Sequence, residues 1–471
     1  MIDTLSIRCR VLHLALAGEL TVRYAEDEPA ANLLRKINNK RSIVQTENLP
    51  YDLPESWEWA RLEDVYKINP RVVASDDCEA AFIPMERIEA GFSGGFSFEV
   101  LPWAEASKNH SRFADGDVAF AKISPSFENR KSFIASGLPN GIGGGTTELI
   151  VLRQKEMLPE YTRLLLLDQR FIDAGSAQFR GIVGQQRVKP TIVKAYLIPI
   201  APFEEQKRIV AAVGAVFTIL DDIDSLQGLY SENMQSIRNK IIEAGIRGKL
   251  TEQLPEDGTA VNLLEHIAEK RAALQAAKVI RKTKPLPPVS ENEEPFRIPS
   301  SWKWVHLSDL YRFTNGTASR GTEGGTPHPV LRLADLTDGR IDTSDVRELS
   351  LADSEYASHI IERGDLVIIR VNGSREKVAT IYQYLDDAEM SYCDHLFCGK
   401  SYSNRISPRY ISLICRSELV RKQVDPLIKT TAGQNTISQG NLGKTIIPLP
   451  PFAEQERIVD RIDAFLSALP E

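Results

Sequence analysis

The chain has 471 residues, enough for two to four domains with sizeable cores. A hydrophobic content of 42% and a charged content of 26% are ordinary for a soluble globular protein, and no run of about 18 apolar residues predicts a membrane span. The net charge of −7 argues against a protein that binds nucleic acid alone and without specificity, but it is compatible with local basic surfaces or with a partner that supplies phosphate contacts.

The N-terminus and the cysteines indicate a cytoplasmic protein. The first segment lacks the charged-then-apolar order and the cleavage site of a signal peptide. Five cysteines, an odd number spread over a long chain, are typical of free thiols in a reducing compartment. Cys393, His395 and Cys398 are close in sequence, but no second ligand cluster accompanies them, so we predict no metal site.

Three pairs of matching segments show that the chain is a tandem duplication. The first pair shares G-x-L-T, Glu-Asp and A-x-N-L-L, the second a W-x-W motif, and the third P-F-x-E-Q-x-R-I-V with a Gly-Gln pair upstream. The matching segments are residues 18–41 with 248–271, 50–65 with 295–310, and 202–210 with 451–459, at offsets of 230, 245 and 249.

Residues 202–250 predict one long helix. A helix of about 40 residues at about 1.5 Å per residue would be roughly 60 Å long. Because one compact domain does not need a helix of this length, we predict that it separates two parts of the protein. Its apolar positions alternate in steps of four and three, the spacing of a coiled-coil seam. They are Ile209, Val213, Val216, Leu220 and Ile223, then, after Gln227, Tyr230, Met234, Ile237 and Ile241.

The chain begins and ends inside the counterpart of this helix. By the repeat offsets, Met1 corresponds to Ser231 and Glu471 to Asp222. We therefore predict a circular permutation, in which the two terminal pieces lie near each other and form a second long helix, antiparallel to the first. The seam would continue at Ile7, Val11 and Leu14 in one piece and at Ile458, Ile462, Phe465 and Leu469 in the other.

The repeat divides the chain into five segments. Two variable regions of mixed α/β (α+β) pattern alternate with three shared segments, and the proline-rich stretch 281–294 is the clearest linker, with 42–49 as its counterpart. The predicted segments are 1–47 (second half of the split helix plus linker), 48–201 (first variable region), 202–294 (long helix plus linker), 295–450 (second variable region) and 451–471 (first half of the split helix).

Corresponding strands and helices are predicted in both variable regions. The best strands are GDVAFAKI from Gly116 and GDLVIIRV from Gly364, each after a Gly-Asp turn signal. AAFIPMERI and HPVLRLADL predict strands that carry Arg87 and Arg332. Helices are predicted at 159–174 and 408–424.

No motif predicts catalysis. The G-K-T at Gly443 lacks the upstream glycine of a P-loop, and the Asn69-Pro70 pair lacks the continuation of an amino-methyltransferase loop. The G-I-G-G-G run at Gly141 lacks dinucleotide-binding spacing, and no zinc-protease, nucleophile-elbow or Cys/His pattern occurs. The chain is therefore predicted to carry no active site.

Polar and basic loops in both variable regions favour DNA recognition. KISPSFENRK and RVNGSREK follow the two best strands, and GQQR and TTAGQN lie near the ends of the regions. Such side chains can contact base edges and phosphates, although solvated surface loops remain the alternative. The candidates are Arg87, Lys122, Ser124, Asn129, Arg130, Lys131, Gln185, Gln186, Arg187, Arg332, Arg370, Asn372, Ser374, Arg375, Thr431, Gln434 and Asn435.

This arrangement resembles the specificity subunits of type I restriction–modification systems. A W-x-W segment, a variable region ending in Gly-Gln, the P-F-x-E-Q-x-R-I-V motif and a long helix closing on G-K-L-T occur in that order, and the likeness covers essentially the whole chain. The permuted start resembles one branch of the family.

The resemblance implies a non-catalytic, DNA-reading subunit. Each variable region would be a target recognition domain that reads one half of a bipartite double-stranded DNA site, and the paired helices would set the gap and dock two methyltransferase subunits. Those partners would carry S-adenosylmethionine and flip the target adenine. Restriction subunits would bring ATP and Mg, and no cofactor, metal or membrane would be bound by this chain.

Two other functions stay open on sequence grounds. One is a coiled-coil interaction scaffold without DNA specificity. The other is a self-contained methyltransferase or nuclease, which would need a cofactor or metal motif that the sequence does not show.

Overall fold

The computed structural model describes residues 1–38, 49–154, 156–177, 179, 186–282, 285–321, 323–337 and 339–470. These form two compact units, Met1–Leu229 and Tyr230–Glu471, and the boundary between them falls inside one helix. Most of the predicted linker 42–49, and the candidate Gln185, lie outside the described residues. Among the helices described, none is long and apolar enough to cross a membrane.

The first unit contains an N-terminal helix pair, two four-stranded sheets and the start of the long helix. Its helices are α1 Thr4–Leu16, α2 Ala30–Ile37, α3 Leu62–Val65, α4 Trp103–Ala106, α5 Pro159–Leu167, α6 Gln169–Ser176, α7 Pro190–Ala195 and the first part of α8 Phe203–Ile246, which continues into the second unit. Its strands are β1 Glu58–Arg61, β2 Lys67–Ile68, β3 Glu79–Ile83, β4 Glu99–Pro102, β5 Ser111–Ala114, β6 Val118–Ala121, β7 Ser132–Ile134, β8 Ile142–Gly145, β9 Leu149–Arg153 and β10 Leu197–Ile200.

The second unit repeats this plan after the end of α8. Its helices are α9 Ala260–Ala276, α10 Leu307–Leu310, α11 Asp353–Ser358, α12 Pro408–Ile414, α13 Glu418–Val424, α14 Gln439–Gly443 and α15 Phe452–Ser467. Its strands are β11 Lys303–His306, β12 Tyr311–Asn315, β13 Thr326–Leu331, β14 Leu336–Thr337, β15 Arg340–Ile341, β16 Glu348–Leu351, β17 Leu366–Ile369, β18 Val371–Asn372, β19 Ile381–Gln383, β20 Ser391–Tyr392, β21 Leu396–Ser401, β22 Lys429–Thr431, β23 Gln434–Thr436 and β24 Ile446–Leu449.

The two variable regions share the topology of their main sheet. The main sheet has the order β2-β9-β6-β7 in the first unit and β12-β21-β17-β19 in the second. The predicted Gly-Asp strands become β6 and β17, whose residues are all buried. In each unit the W-x-W strand closes the domain by pairing antiparallel with the strand before the P-F-x-E-Q motif, β1 with β10 and β11 with β24.

Two predictions about these regions are wrong in detail. Arg87 and Arg332 do not lie in strands. Pro84 follows β3 and has no N–H for a sheet ladder, so Arg87 falls in a 3-10 turn, Met85–Arg87. Arg332 follows β13, where the Asp335 carboxylate accepts its backbone N–H and starts the next 3-10 turn.

The predicted helices at 159–174 and 408–424 are each broken in two. Asp168 takes an extended conformation (ψ 133°) between α5 and α6, and its carboxylate accepts the backbone N–H of Arg170. An Asp side chain favours such an N-cap over a continuing helix. In the second unit, α12 and α13 are separated by residues 415–417.

A buried glutamate joins the shared motifs in each unit. Glu205, in the first turn of α8, accepts hydrogen bonds from Trp57 Nε1 (2.8 Å) and Thr21 Oγ1 (3.2 Å). Burial raises the pKa of Glu205, although both hydrogen bonds oppose the rise. One carboxylate therefore ties the P-F-x-E-Q helix, the W-x-W segment and the G-x-L-T turn together.

The second unit repeats this contact atom for atom. Glu454 accepts Trp302 Nε1 at 2.8 Å and Thr251 Oγ1 at 3.0 Å. The preceding turn glycines, Gly18 and Gly248, both have positive φ, and a Cβ there would lie 2.5 Å from a proline ring carbon. A non-glycine residue would be strained and would clash, which explains why glycine stands in both copies.

Other motif residues also act in pairs. Arg208 forms an ion pair with Asp27, as Arg457 does with Asp257. The amide of Gln206 donates to the Ala201 carbonyl, and that of Gln455 donates to the Pro450 carbonyl. The recurring E-Q-x-R letters thus encode the same set of tertiary contacts twice.

The terminal helices pack on α8 within their own units. Thr4 Oγ1 donates to Asp224, while Arg8 donates to Asp221 and to the Phe217 carbonyl, so α1 runs antiparallel to α8. In the second unit, a Cβ on Gly245 would lie 2.7 Å from Ile462 and 3.2 Å from Ile458 of α15.

The predicted seam is shifted by one position in α1. Ile7 is exposed and Leu14 only partly buried, whereas Thr4, Arg8, Leu12 and Ala15 are buried. Burial of Arg8 is offset by its ion pairs with two aspartates and by the Phe92 and Phe217 rings, which a hydrophobicity pattern does not show. In α15, burial of Ile458 and Ile462 confirms the seam, but Phe465 is exposed.

Replacement of either buried glutamate should destabilise its own unit. Glu205→Ala or Glu454→Ala leaves a buried indole N–H without its acceptor, which should cost about 3 kcal/mol. Urea unfolding would measure the loss, and amide hydrogen exchange would assign it to one unit. Glu204→Ala, one residue away and exposed, is the matched control with an expected change below about 0.5 kcal/mol. Equal stability of all three variants would contradict this role.

Candidate nucleic-acid interface

The two predicted loop groups of the first unit come together in space. Ile123 pairs antiparallel with Arg187 in an isolated bridge. The Ser124 N–H donates to the Gln186 carbonyl at 2.8 Å, and the Val188 N–H donates to the Lys122 carbonyl at 2.9 Å. The loop after β6 therefore shares one surface with residues 186–188.

The second unit joins its corresponding loops in the same way. Val371 and Asn372 of β18 pair with Thr436 and Asn435 of β23, and β23 forms a hairpin with β22. The Ile437 N–H donates to the Arg370 carbonyl at 3.1 Å, matching the bond between Val188 and Lys122. We call each assembly a reading face: residues 122–131, 146–148 and 186–188 in the first unit, and 370–377, 393–395 and 429–437 in the second.

Each reading face has a third segment that the sequence did not indicate. Lys122 Nζ donates to the Thr147 carbonyl at 2.8 Å, and its backbone N–H donates to the Glu148 carbonyl. Arg370 makes the equivalent bonds, with Nη1 to the Asp394 carbonyl at 2.9 Å and its N–H to the carbonyl of the following residue. The turns at 146–148 and 393–395 have no residues in common, so only the backbone hydrogen bonds show that they are equivalent.

An ion pair between Arg187 and Glu148 anchors the described end of the Gln-Gln-Arg segment in the first face. Arg187 donates to both carboxylate oxygens of Glu148, with Nε–Oε2 at 2.9 Å and Nη2–Oε1 at 2.8 Å. The Arg187 guanidinium holds the pKa of Glu148 below its ordinary value. Such a bidentate pair fixes the plane of the guanidinium.

Several candidates of the first unit hold the loop in place. The Arg130 guanidinium donates to the Leu167 carbonyl at 3.0 Å, contacts Gln169 and lies over the Phe92 ring. Lys131 Nζ donates to the Met85 carbonyl at 2.9 Å. Ser124 Oγ donates to Glu128 at 2.8 Å, and Arg87 forms an ion pair with Glu99 at 2.5 Å. Asn129, by contrast, is exposed.

The second unit shows the same division between anchoring and exposed side chains. Asn372 accepts the Ser374 N–H at 2.9 Å and closes the loop turn. Arg375 Nη2 donates to the Asp425 carbonyl at 2.5 Å. Arg332 forms an ion pair with Asp335 and lines a cleft together with residues 393–395 of the second face.

The tip of the β22–β23 hairpin is the most exposed part of the second face. Thr431 and Gln434 are exposed, and Ala432 and Gly433 between them have positive φ. Asn435 is only 7% exposed. Its Oδ1 accepts Thr430 Oγ1 (2.7 Å), and its Nδ2 donates to the Gly373 carbonyl (2.8 Å). Asn435 therefore links the hairpin to the 370–377 loop, while the tip presents a hydroxyl and an amide to solvent.

The cysteine-histidine cluster lies on the third segment of the second face. Among the described residues, the donor atoms of Cys393, Asp394 and His395 lie within 4.8 Å of one another. Cys398 is elsewhere, in the core, with Sγ 3.6 Å from Asp365. Asp394 contacts His395 at 3.2 Å and Arg320 at 3.6 Å, and burial raises the pKa of the Cys393 thiol.

Known proteins resemble the chain over nearly its whole length. It is 30% identical to the specificity subunit of the type I restriction enzyme EcoAI of Escherichia coli, over 98% of this chain and 88% of that one. The EcoEI specificity subunit, also from Escherichia coli, is 28% identical over the same shares. No family model matches.

One solved structure shares the fold. A chain from a structure describing complex assembly and conformational transition of a type I R-M system has a TM-score of 0.57 at 20% identity, and the match covers 89% of this chain and 92% of that one. That likeness shows the fold, in which two duplicated domains are joined by a long helix. The chain belongs to the specificity subunits of type I restriction enzymes, the non-catalytic DNA-recognition components of their complexes.

Loss of the Thr430–Asn435 hydrogen bond should loosen the hairpin of the second face. Thr430→Val keeps the side-chain shape but leaves the buried Asn435 oxygen without its donor, whereas Thr430→Ser keeps the donor. Amide hydrogen exchange over 429–436 should quicken about tenfold in the valine variant and stay near the original rate in the serine variant. Identical exchange in both variants would show that the hydroxyl does not order the hairpin.

Proposed function

We propose that each reading face recognises one half of a bipartite double-stranded DNA site. The observation that carries this proposal is that one frame occurs twice with different residues on corresponding faces. The first face holds Arg187 against Glu148, and the second presents Thr431 and Gln434 on a hairpin. Because Arg prefers guanine edges and Gln and Asn prefer adenine edges, two such faces would read two different sequences.

The chain contributes recognition, and the chemistry belongs to partners. Two methyltransferase subunits would dock on the helical segments, bind S-adenosylmethionine and methylate adenine in each half-site. Restriction subunits would join them and use ATP and Mg for translocation and cleavage. The net charge of −7 fits a subunit whose partners supply many of the phosphate contacts.

Helix α8 would set the distance between the half-sites. Its 44 residues are continuous from Phe203 to Ile246. In this proposal the terminal helices α1 and α15, each packed on α8 within its own unit, support the spacer. A scaffold without DNA specificity would not need two differently equipped reading faces.

Exchange of one variable region should change one half-site alone. A hybrid in which residues 53–200 come from a relative should methylate a site with a new first half and the original second half. The reciprocal exchange of 298–450 is the matched control and should change only the second half. Sequencing of methylated adenines in cells with the partner subunits measures both. An exchange that left both half-sites unchanged would refute the modular proposal.

A longer helix should lengthen the gap and leave the half-sites alone. One helical turn inserted at the level of residues 225–230 adds about 5.4 Å, equivalent to one or two base pairs at about 3.4 Å each. Methylation mapping should then show the same two half-sites with a longer unspecified gap. Altered half-site sequences with an unchanged gap would contradict the spacer role.

A further inference from the structure

A cleft of about 550 Å³ lies beside the β22–β23 hairpin in the second unit. It opens between the end of β12, the start of the 370–377 loop and the turn that precedes α14. The lining residues are Asn315, Arg370, Phe397, Leu427, Lys429, Thr436, Ile437, Ser438, Gln439, Gly440 and Asn441.

The lining of this cleft carries cations and polar groups but no carboxylate. Arg370 and Lys429 supply two positive charges, and the neutral polar groups are three amides and two hydroxyls. Four other clefts described in the second unit each contain at least one aspartate or glutamate. In a chain with a net charge of −7, an acid-free cleft with two cations is a local site for an anion.

The walls of the cleft are fixed by hydrogen bonds. Thr436 Oγ1 donates to the Lys429 carbonyl (3.5 Å), and Asn441 Nδ2 donates to the Leu427 carbonyl (3.4 Å). The Ser438 hydroxyl accepts the Asn441 N–H at 3.2 Å, and the side-chain amides of Gln439 and Asn315 lie 2.8 Å apart. These bonds join β22 to β23, and α14 to the residue Leu427 before β22 and to the end of β12.

The two cations differ in whether their charged groups already have partners within the protein. Arg370 uses Nη1 on the Asp394 carbonyl, and its guanidinium lies 5.8 Å from the centre of the Phe397 ring. Lys429 is exposed, and its ammonium group makes no hydrogen bond or ion pair with the described residues. Arg370 is thus an oriented donor, and Lys429 a charge available to a ligand.

We propose that this cleft binds one backbone phosphate of the DNA duplex that the second reading face recognises. The proposal rests on the DNA-reading function above and adds a contact that carries no sequence information. A phosphate held here lies next to the exposed Thr431–Gln434 tip, so it would fix the register in which the tip meets the bases. Phosphate contacts generally position a protein on DNA, and base contacts specify the sequence.

Removal of the Lys429 charge should weaken binding to all duplexes equally. In the complex with methyltransferase subunits, Lys429→Ala should reduce affinity for the cognate and for a scrambled duplex by the same factor, about five- to tenfold at 0.1 M salt. The slope of log affinity against log salt should fall by about one, as expected for one lost phosphate contact. Lys429→Arg should restore both values.

Two further variants distinguish a phosphate contact in this cleft from sequence recognition by the reading face. Lys422→Ala removes an exposed lysine that pairs with Glu418 on α13, away from the cleft, and should leave the salt slope unchanged. Gln434→Ala at the hairpin tip should reduce affinity for the cognate duplex alone. If Lys429→Ala lowered only cognate affinity, or left the salt slope unchanged, the phosphate proposal would be overturned while the reading function stood. Thr431→Ala tests the hairpin tip in the same way. If neither Gln434→Ala nor Thr431→Ala reduced the preference for the cognate duplex, the result would instead count against recognition of the sequence by the second face.

Inorganic phosphate distinguishes a duplex phosphate from a free one. At constant ionic strength, millimolar inorganic phosphate should not displace the duplex, because the contact gains its strength from the rest of the interface. Inorganic phosphate that binds the original protein but not Lys429→Ala, and binds equally well when the duplex is already bound, would make the cleft a free-phosphate site and overturn the duplex proposal.

Discussion

The buried carboxylate at the start of each motif helix is the contact on which the rest of the molecule depends. Glu205 and Glu454 each bind one indole N–H and one threonine hydroxyl, and these three groups come from segments far apart in sequence. A buried glutamate is costly unless its oxygens are hydrogen-bonded, so the three segments must assemble together. The strand pairs β1–β10 and β11–β24 then close each variable region at a fixed place on its helix.

A frame fixed in this way allows the reading faces to differ. The backbone bonds that join the two loops of each face recur, with Lys122 and Arg370 in equivalent positions, but the exposed side chains do not. The first face uses an Arg–Glu pair, and the second uses a hairpin linked to its neighbouring loop by Asn435. The contacts of the frame therefore recur in both units, whereas the exposed residues of the faces differ.

The duplication, the fold class and the central strands could be predicted from sequence because they follow from recurring letters and hydrophobic patterns. Burial of β6 and β17 confirms that reasoning for the central strands. The helix break at Asp168 and the burial of Arg8 could not be predicted, since each depends on a partner distant in sequence or on a local cap. Sequence also could not predict which of the candidate side chains form hydrogen bonds within the protein. Asn435 and Arg130 have the chemistry of base readers, but their donors are used within the protein.

The most direct test of the account is the pattern of adenine methylation produced by this subunit with its partners. Single-molecule sequencing of DNA from cells that express the complex should show one asymmetric motif, with two specified parts separated by an unspecified gap of constant length. Two faces of different composition require different half-sites, and one continuous helix requires one gap. A continuous or palindromic motif, or methylation unchanged when this chain is absent, would contradict the account.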